Sequence, residues 1–320
     1  VRKEGRAAAK NIKFRQPEPY RRVNAAVKAM LSGKGKRNSH LYVLMLCSQM
    51  ILIALGGACH GGKSENAATV NEEKQSSNLV QQTTVSEIDR GDFKLHYQTP
   101  KRARNNNPLP DAILDKQALE RIIASLNQRA ALPVDVIISF ENCGGVDAFY
   151  DTESHRVTIC YELIDEYLLI FRLKIKDPEK LKRAVQGAIV STLFHELGHA
   201  LIDVWKLPVT GKEEDAADQL ATLALMSRSE TGEEMALHGA VSFQLYADLE
   251  KEYEKIYWDE HSLDEQRFYD TICLIYGQHP DKYDYLVKDG TLPEERAELC
   301  PEEFARINRA WQTLLTPYFK

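Results

Sequence analysis

Residues 188–202 read AIVSTLFHELGHALI, and this stretch decides the fold. Ala188, Ile189, Val190, Leu193 and Phe194 lead into it, and Ala200, Leu201 and Ile202 follow. Apolar residues at helical spacing on both sides make this a long, largely buried helix over Leu181–Trp205, ended by Leu207-Pro208 and a turn through Gly211. At 3.6 residues per turn, His195 and His199 project from one face, so both imidazoles reach a single ion. Glu196 points about 100° away, beside the ion rather than on it, where a carboxylate takes a proton from an attacking water. Two histidines and a glutamate among apolar neighbours need partners. Zinc supplies one; a pair of hydrogen-bonded core histidines is the plainer alternative.

A catalytic zinc needs a third protein ligand and an open position. The next predicted helix, about 213–228, opens Glu213-Glu214-Asp215-Ala216-Ala217-Asp218. Glu214 and Asp218 lie four apart on one face, and a short Pro/Gly turn folds this helix back antiparallel on the first. The expectation is Glu214 as third ligand, with Asp218 orienting a ligand imidazole. By axial height alone Asp218 fits at least as well, and Asp215 is a further alternative. An acidic cluster that only stabilises a helix N-terminus is the plainer reading.

Outward from this helix the pattern is α+β, predominantly helical with a small β-sheet. A helix is expected over 111–130, and strands at Val134–Ser139, Ala148–Tyr150 and Arg156–Tyr161. Further helices follow at 232–254, 264–277 and 301–315. Arg156–Tyr161 is either an edge strand open to an extended peptide or a core strand. Ser262 and Glu265 read as the capping box of the 264–277 helix. His155 and His238 lack a partner pattern and read as surface residues.

HExxH followed by Glu-x-x-x-Asp in the next helix resembles the gluzincins, the thermolysin-like clan that includes the CAAX prenyl-protease group. More closely, Asp147–Asp151, Cys160–Leu163, His195–Asp203, Glu213–Leu220 and Trp258–Phe268 resemble a bacterial metallopeptidase family of otherwise unknown function, over roughly 110–315. The resemblance implies a zincin fold with one Zn²⁺ between two helices beside the sheet. It matches His195, His199 and Glu214 to the metal ligands, Glu196 to the catalytic base and Asp218 to the supporting acid. The six-residue spacing of His261 and Arg267 resembles a C-terminal motif of the CAAX group, which makes either a donor to a developing oxyanion. The implied activity is hydrolysis of a peptide or protein substrate. A tethered lipoprotein that uses zinc without hydrolysis is the competing expectation.

The net charge of −6 hides a split. Residues 1–40 carry 12 Lys/Arg against Glu4 and Glu18, whereas residues 41–59 carry no charge. The body is therefore acidic, which argues against a nucleic-acid partner. The apolar run 41–58, after Lys34, Lys36 and Arg37 and before Cys59, is a secretory leader over 30–59. Leu55-Gly56-Gly57-Ala58-Cys59 resembles a lipobox, with Cys59 the lipidated residue; an uncleaved membrane anchor is the alternative. Residues 1–29 read as an upstream extension, 60–92 as a polar tether, and 93–320 as the folded domain. Export to the bacterial cell envelope fits four remaining cysteines in two short-loop pairs, Cys143–Cys160 and Cys273–Cys300. Four reduced, buried thiols are the alternative.

Overall fold

The computed structural model describes residues 85–100, 110–227, 229–250 and 255–320. The expected extension at 1–29, the leader, Cys59 and residues 60–84 of the expected tether lie outside the described residues.

The described chain is α+β. Its elements in order are β1 (Phe93–Tyr97), α1 (Lys116–Asn127), β2 (Val136–Glu141), β3 (Ala148–Asp151), β4 (Arg156–Cys160), α2 (Tyr161–Arg172), α3 (Pro178–Val204), α4 (Glu213–Met226), α5 (Glu230–Glu250), α6 (Asp264–Gln278) and α7 (Cys300–Leu315). Short helical turns fill the connections. Among the described residues no helix is long and apolar enough to cross a membrane.

The HExxH helix is α3. Asp177 caps it by accepting the Lys180 N–H at 2.8 Å, with Pro178 at the first helical position. It has no polar face, and it is buried against α2, α4 and α5. Glycines set how close its neighbours come. A Cβ at Gly187 would lie 2.3 Å from Nδ1 of His238 on α5. One at Gly239 of α5 would lie 2.1 Å from the Ser191 hydroxyl. One at Gly198 would stand 3.1 Å from Cα of Ala217, where α4 crosses.

The sheet has the order β1-β2-β4-β3, with β1, β2 and β4 parallel and β3 antiparallel at one edge. Arg156–Cys160 is thus an interior strand, and Ala148–Asp151 is the edge. The β-branched, buried run Val157–Ile159 of β4 suits a strand covered on both sides. β1, not among the expected strands, follows the alternation rule, with Lys94 and His96 separating Phe93, Leu95 and Tyr97. The helix expected over 111–130 breaks at Leu114, because Asp115 caps α1 by accepting the Ala118 N–H at 2.9 Å.

Both disulfides are present. Cys143–Cys160 ties the β2–β3 loop to the β4–α2 junction, and Cys273–Cys300 ties α6 to α7. Three local expectations need correction. Ser262 does not cap α6: its hydroxyl donates to Asp215, while Gln266 accepts the Leu263 N–H and Glu265 pairs with Lys255. His238 is buried between α3 and α5 rather than at the surface, with its Nδ1 unpartnered. Burial, with a nearby Arg183, lowers its pKa to about 4. His155 is partly buried and hydrogen-bonded to Tyr150.

Adding a methyl group at the α3–α5 contact forces the helices apart. Gly187→Ala and Gly239→Ala are each expected to lower unfolding free energy by about 1–3 kcal/mol. Gly145→Ala, with nothing near its Cβ, is the control. Urea denaturation checks this, and equal midpoints for all three would contradict it.

Candidate metal centre

α4 runs back along α3, and the Gly198–Ala217 contact brings its first two turns against the histidines. His195 Nε2, His199 Nε2 and Glu214 Oε2 form a triangle. The two nitrogens are 3.2 Å apart, and the carboxylate oxygen lies 3.1 Å from His195 and 3.4 Å from His199. Four tetrahedral donors about 2.05 Å from zinc stand roughly 3.3 Å from one another. The triangle fits that ion without rearrangement.

The other ring nitrogens are held from behind. His195 Nδ1 lies 2.8 Å from Asp218 Oδ1, and His199 Nδ1 lies 2.8 Å from Glu213 Oε1. Carboxylates at Nδ1 leave Nε2 free to face a metal. Arg267 in turn grips Asp218 from the far side, Nε to Oδ2 at 2.7 Å and Nη2 to Oδ1 at 2.9 Å. Its guanidinium sits 4.1 Å from the Phe243 ring centre. These bonds engage Nε and Nη2 of Arg267 on Asp218, while His261, the other expected oxyanion donor, reaches Glu214 of the triangle. Asp215 turns away, accepting the Ser262 hydroxyl at 2.8 Å.

His261 Nε2 lies 2.9 Å from the same Glu214 oxygen, and its Nδ1 lies 3.3 Å from Asp259. Lys212 Nζ holds this loop by donating to the carbonyls of Asp259 and His261 at 3.1 and 3.3 Å. His195 and Glu214 therefore belong to two overlapping donor sets, one completed by His199 and the other by His261. His199 stands on a buried helix at fixed i+4 spacing, whereas the His261 side chain is 48% exposed on a loop. The set with His199 is thus the more rigid of the two.

Glu196 is buried and borders a cleft of about 830 Å³, shared with Asp147, Ala148, His261 and Arg267. Burial raises its carboxyl pKa against the pull of His195 and His199. Burial also pushes Glu214 and Asp218 upward. Three imidazoles outweigh it at Glu214, and Arg267 with His195 outweigh it at Asp218, so both stay well below the usual carboxylate range. His195 is the converse case. Burial pulls it down, but the Asp218 and Glu214 hydrogen bonds lift it to about 9.

Glu213 and Asp259, which hold ligand-side imidazoles, were not anticipated. The available signal was proximity alone: Glu213 precedes Glu214, and Asp259 lies two residues before His261.

With His195 raised to about 9, a metal must displace its proton near neutral pH. Apparent zinc affinity should climb from pH 6 toward 9, by up to about ten-fold per unit for each proton displaced. Chelator competition across that range measures it, and a pH-independent affinity would contradict the protonated apo site.

No curated protein matches the chain, and no solved structure matches it. The family described as "Putative metallopeptidase" (DUF4344) matches residues 97–315, from the last residue of β1 through the end of α7. With more than half its length matched, the chain belongs to this metallopeptidase family.

Proposed function

We propose that the chain is a zinc-dependent peptidase of gluzincin type, with His195, His199 and Glu214 as ligands and Glu196 as general base. The observation that carries this reading is the donor triangle, sized for zinc, whose His195 lines a cleft together with the buried carboxylate of Glu196, which has no ion pair among the described residues. Zinc in that position supplies Lewis-acid polarisation of a carbonyl and acidifies water.

The chain's own groups then have distinct tasks. Glu196 takes the proton from the attacking water and hands it to the leaving amine; its burial-raised pKa suits that exchange. His261, oriented by Asp259, donates to the oxygen on which negative charge develops. The edge strand β3, whose Ala148 borders the cleft, offers backbone groups to an extended peptide. Leu163, Phe243 and Tyr246 wall off room for a side chain. Asp218 and Arg267 keep His195 oriented.

The two disulfides support residence in an oxidising compartment, and a bacterial envelope lipoprotein tethered through Cys59 accommodates them. A closed, non-catalytic site with His261 as fourth ligand is the second reading, favoured by its 2.9 Å approach to Glu214.

Glu196→Gln separates the two. On peptidase chemistry, cleavage of a proteome-derived peptide library falls by about 10²–10⁴-fold while one zinc per chain remains. Undiminished cleavage by this variant would remove Glu196 as base, and a zinc-loaded wild type that cleaves nothing would favour the closed site.

A further inference from the structure

Two non-glycine residues in the described chain have left-handed backbone, His155 at φ 47° and Lys206 at φ 51°. Both occupy places where glycine is the usual choice. His155 is the last residue of the four-residue loop joining β3 to β4, a position that hairpins commonly give to a left-handed residue. Lys206 follows the end of α3, where the Leu207 N–H reaches back to the Ile202 carbonyl at 2.9 Å. A left-handed conformation costs a residue with a Cβ of order 1 kcal/mol, and such strain persists where the surroundings demand it.

Both side chains converge on one pair. The Tyr150 hydroxyl, on edge strand β3, donates to Asp203 Oδ2 at 2.8 Å. His155 Nδ1 lies 3.0 Å from that hydroxyl and 3.5 Å from the same carboxylate oxygen. Lys206 Nζ donates to Asp203 Oδ1 at 2.8 Å. The tyrosine has one proton and the carboxylate can only accept, so the Tyr150 proton goes to Asp203 and His155 Nδ1 must carry its own. Asp203 also holds its charge: burial opposes ionisation, but Lys206 and the Tyr150 hydroxyl keep its pKa lowered.

Asp203 stands one helical turn beyond His199 on α3. Tyr150 stands two residues from Ala148, which borders the cleft with Glu196. The four side chains therefore join the sheet edge directly to the helix that bears the histidines. None of them belongs to the donor triangle.

We infer that Tyr150, His155, Asp203 and Lys206 form a clamp that fixes the edge strand at its working distance from the HExxH helix, and that Tyr150 and His155 are positioning residues for an extended peptide. This rests on the peptidase reading. The clamp sets where the peptide backbone lies, so its loss weakens substrate binding and leaves the chemistry intact.

The test uses Tyr150→Phe, which removes only the hydroxyl, and His155→Gly, which keeps the loop backbone because glycine adopts left-handed φ without strain. Zinc content, thermal midpoint, KM and kcat are measured for the full chain, on the peptide that wild type cleaves best from a proteome-derived library. The expected result is KM raised about ten-fold in each variant, the equivalent of one hydrogen bond. kcat should stay within about two-fold and zinc at wild-type content. An unchanged KM overturns the clamp, as does a parallel fall of zinc content, midpoint and kcat, which would mark a purely structural role. A zinc-loaded wild type that cleaves no peptide overturns the peptidase reading, and the clamp's purpose with it.

Discussion

The close crossing of α3 and α4 at Gly198 and Ala217 is the constraint on which the site depends. A side chain at Gly198 would stand 3.1–3.3 Å from backbone and Cβ atoms of Ala217, so the helices meet with nothing between them. At that separation a glutamate from α4 spans to two imidazoles at once. The shorter Asp218, one turn on, reaches only the rear nitrogen of His195. Glutamate and aspartate on one helical face thus receive different tasks from a difference of one methylene.

Charge balance gives the centre its order. Glu214 alone receives three imidazoles, and Asp218 is shared between His195 and Arg267. Each carboxylate that touches a histidine is compensated, whereas Glu196 is buried among them without an ion pair of its own among the described residues. A buried carboxylate left in that condition holds its proton more readily than its neighbours do, which is the property a base needs when it must also give the proton back. Outside the triangle, the Tyr150–Asp203 pair joins the sheet edge to the same helix, so both sides of the cleft are referred to α3.

Much of this was legible in the sequence. Spacing alone placed His195 and His199 on one face and Glu196 beside them, because helix geometry is local. The α+β class and the rough placement of most helices followed from apolar periodicity, with α4 ending at Met226 against an expected 228, whereas the break at Leu114 and the bounds of α2 did not. What depends on tertiary arrangement was not legible. Strand order cannot be read from strand content, so Arg156–Tyr161 stays open between edge and core strand until the sheet order puts Ala148–Asp151 at the edge. That Glu214 faces both histidines while Asp218 meets only His195 depends on helix separation, which Gly198 sets. His238 was read as exposed because a lone histidine carries no pattern; its burial follows from Gly187, which leaves space for a ring. Ser262 satisfied a capping motif, yet Asp215 on α4 claims its hydroxyl.

The most direct test of the account is the metal content of the purified protein, measured by elemental analysis for wild type, Glu214→Ala and Asp218→Ala. The account predicts one zinc per chain in wild type, loss in Glu214→Ala, and retention with weaker affinity in Asp218→Ala, about 10–100-fold for a lost supporting partner. Zinc held fully by Glu214→Ala and lost by Asp218→Ala would contradict it, and would move the third ligand one turn along α4.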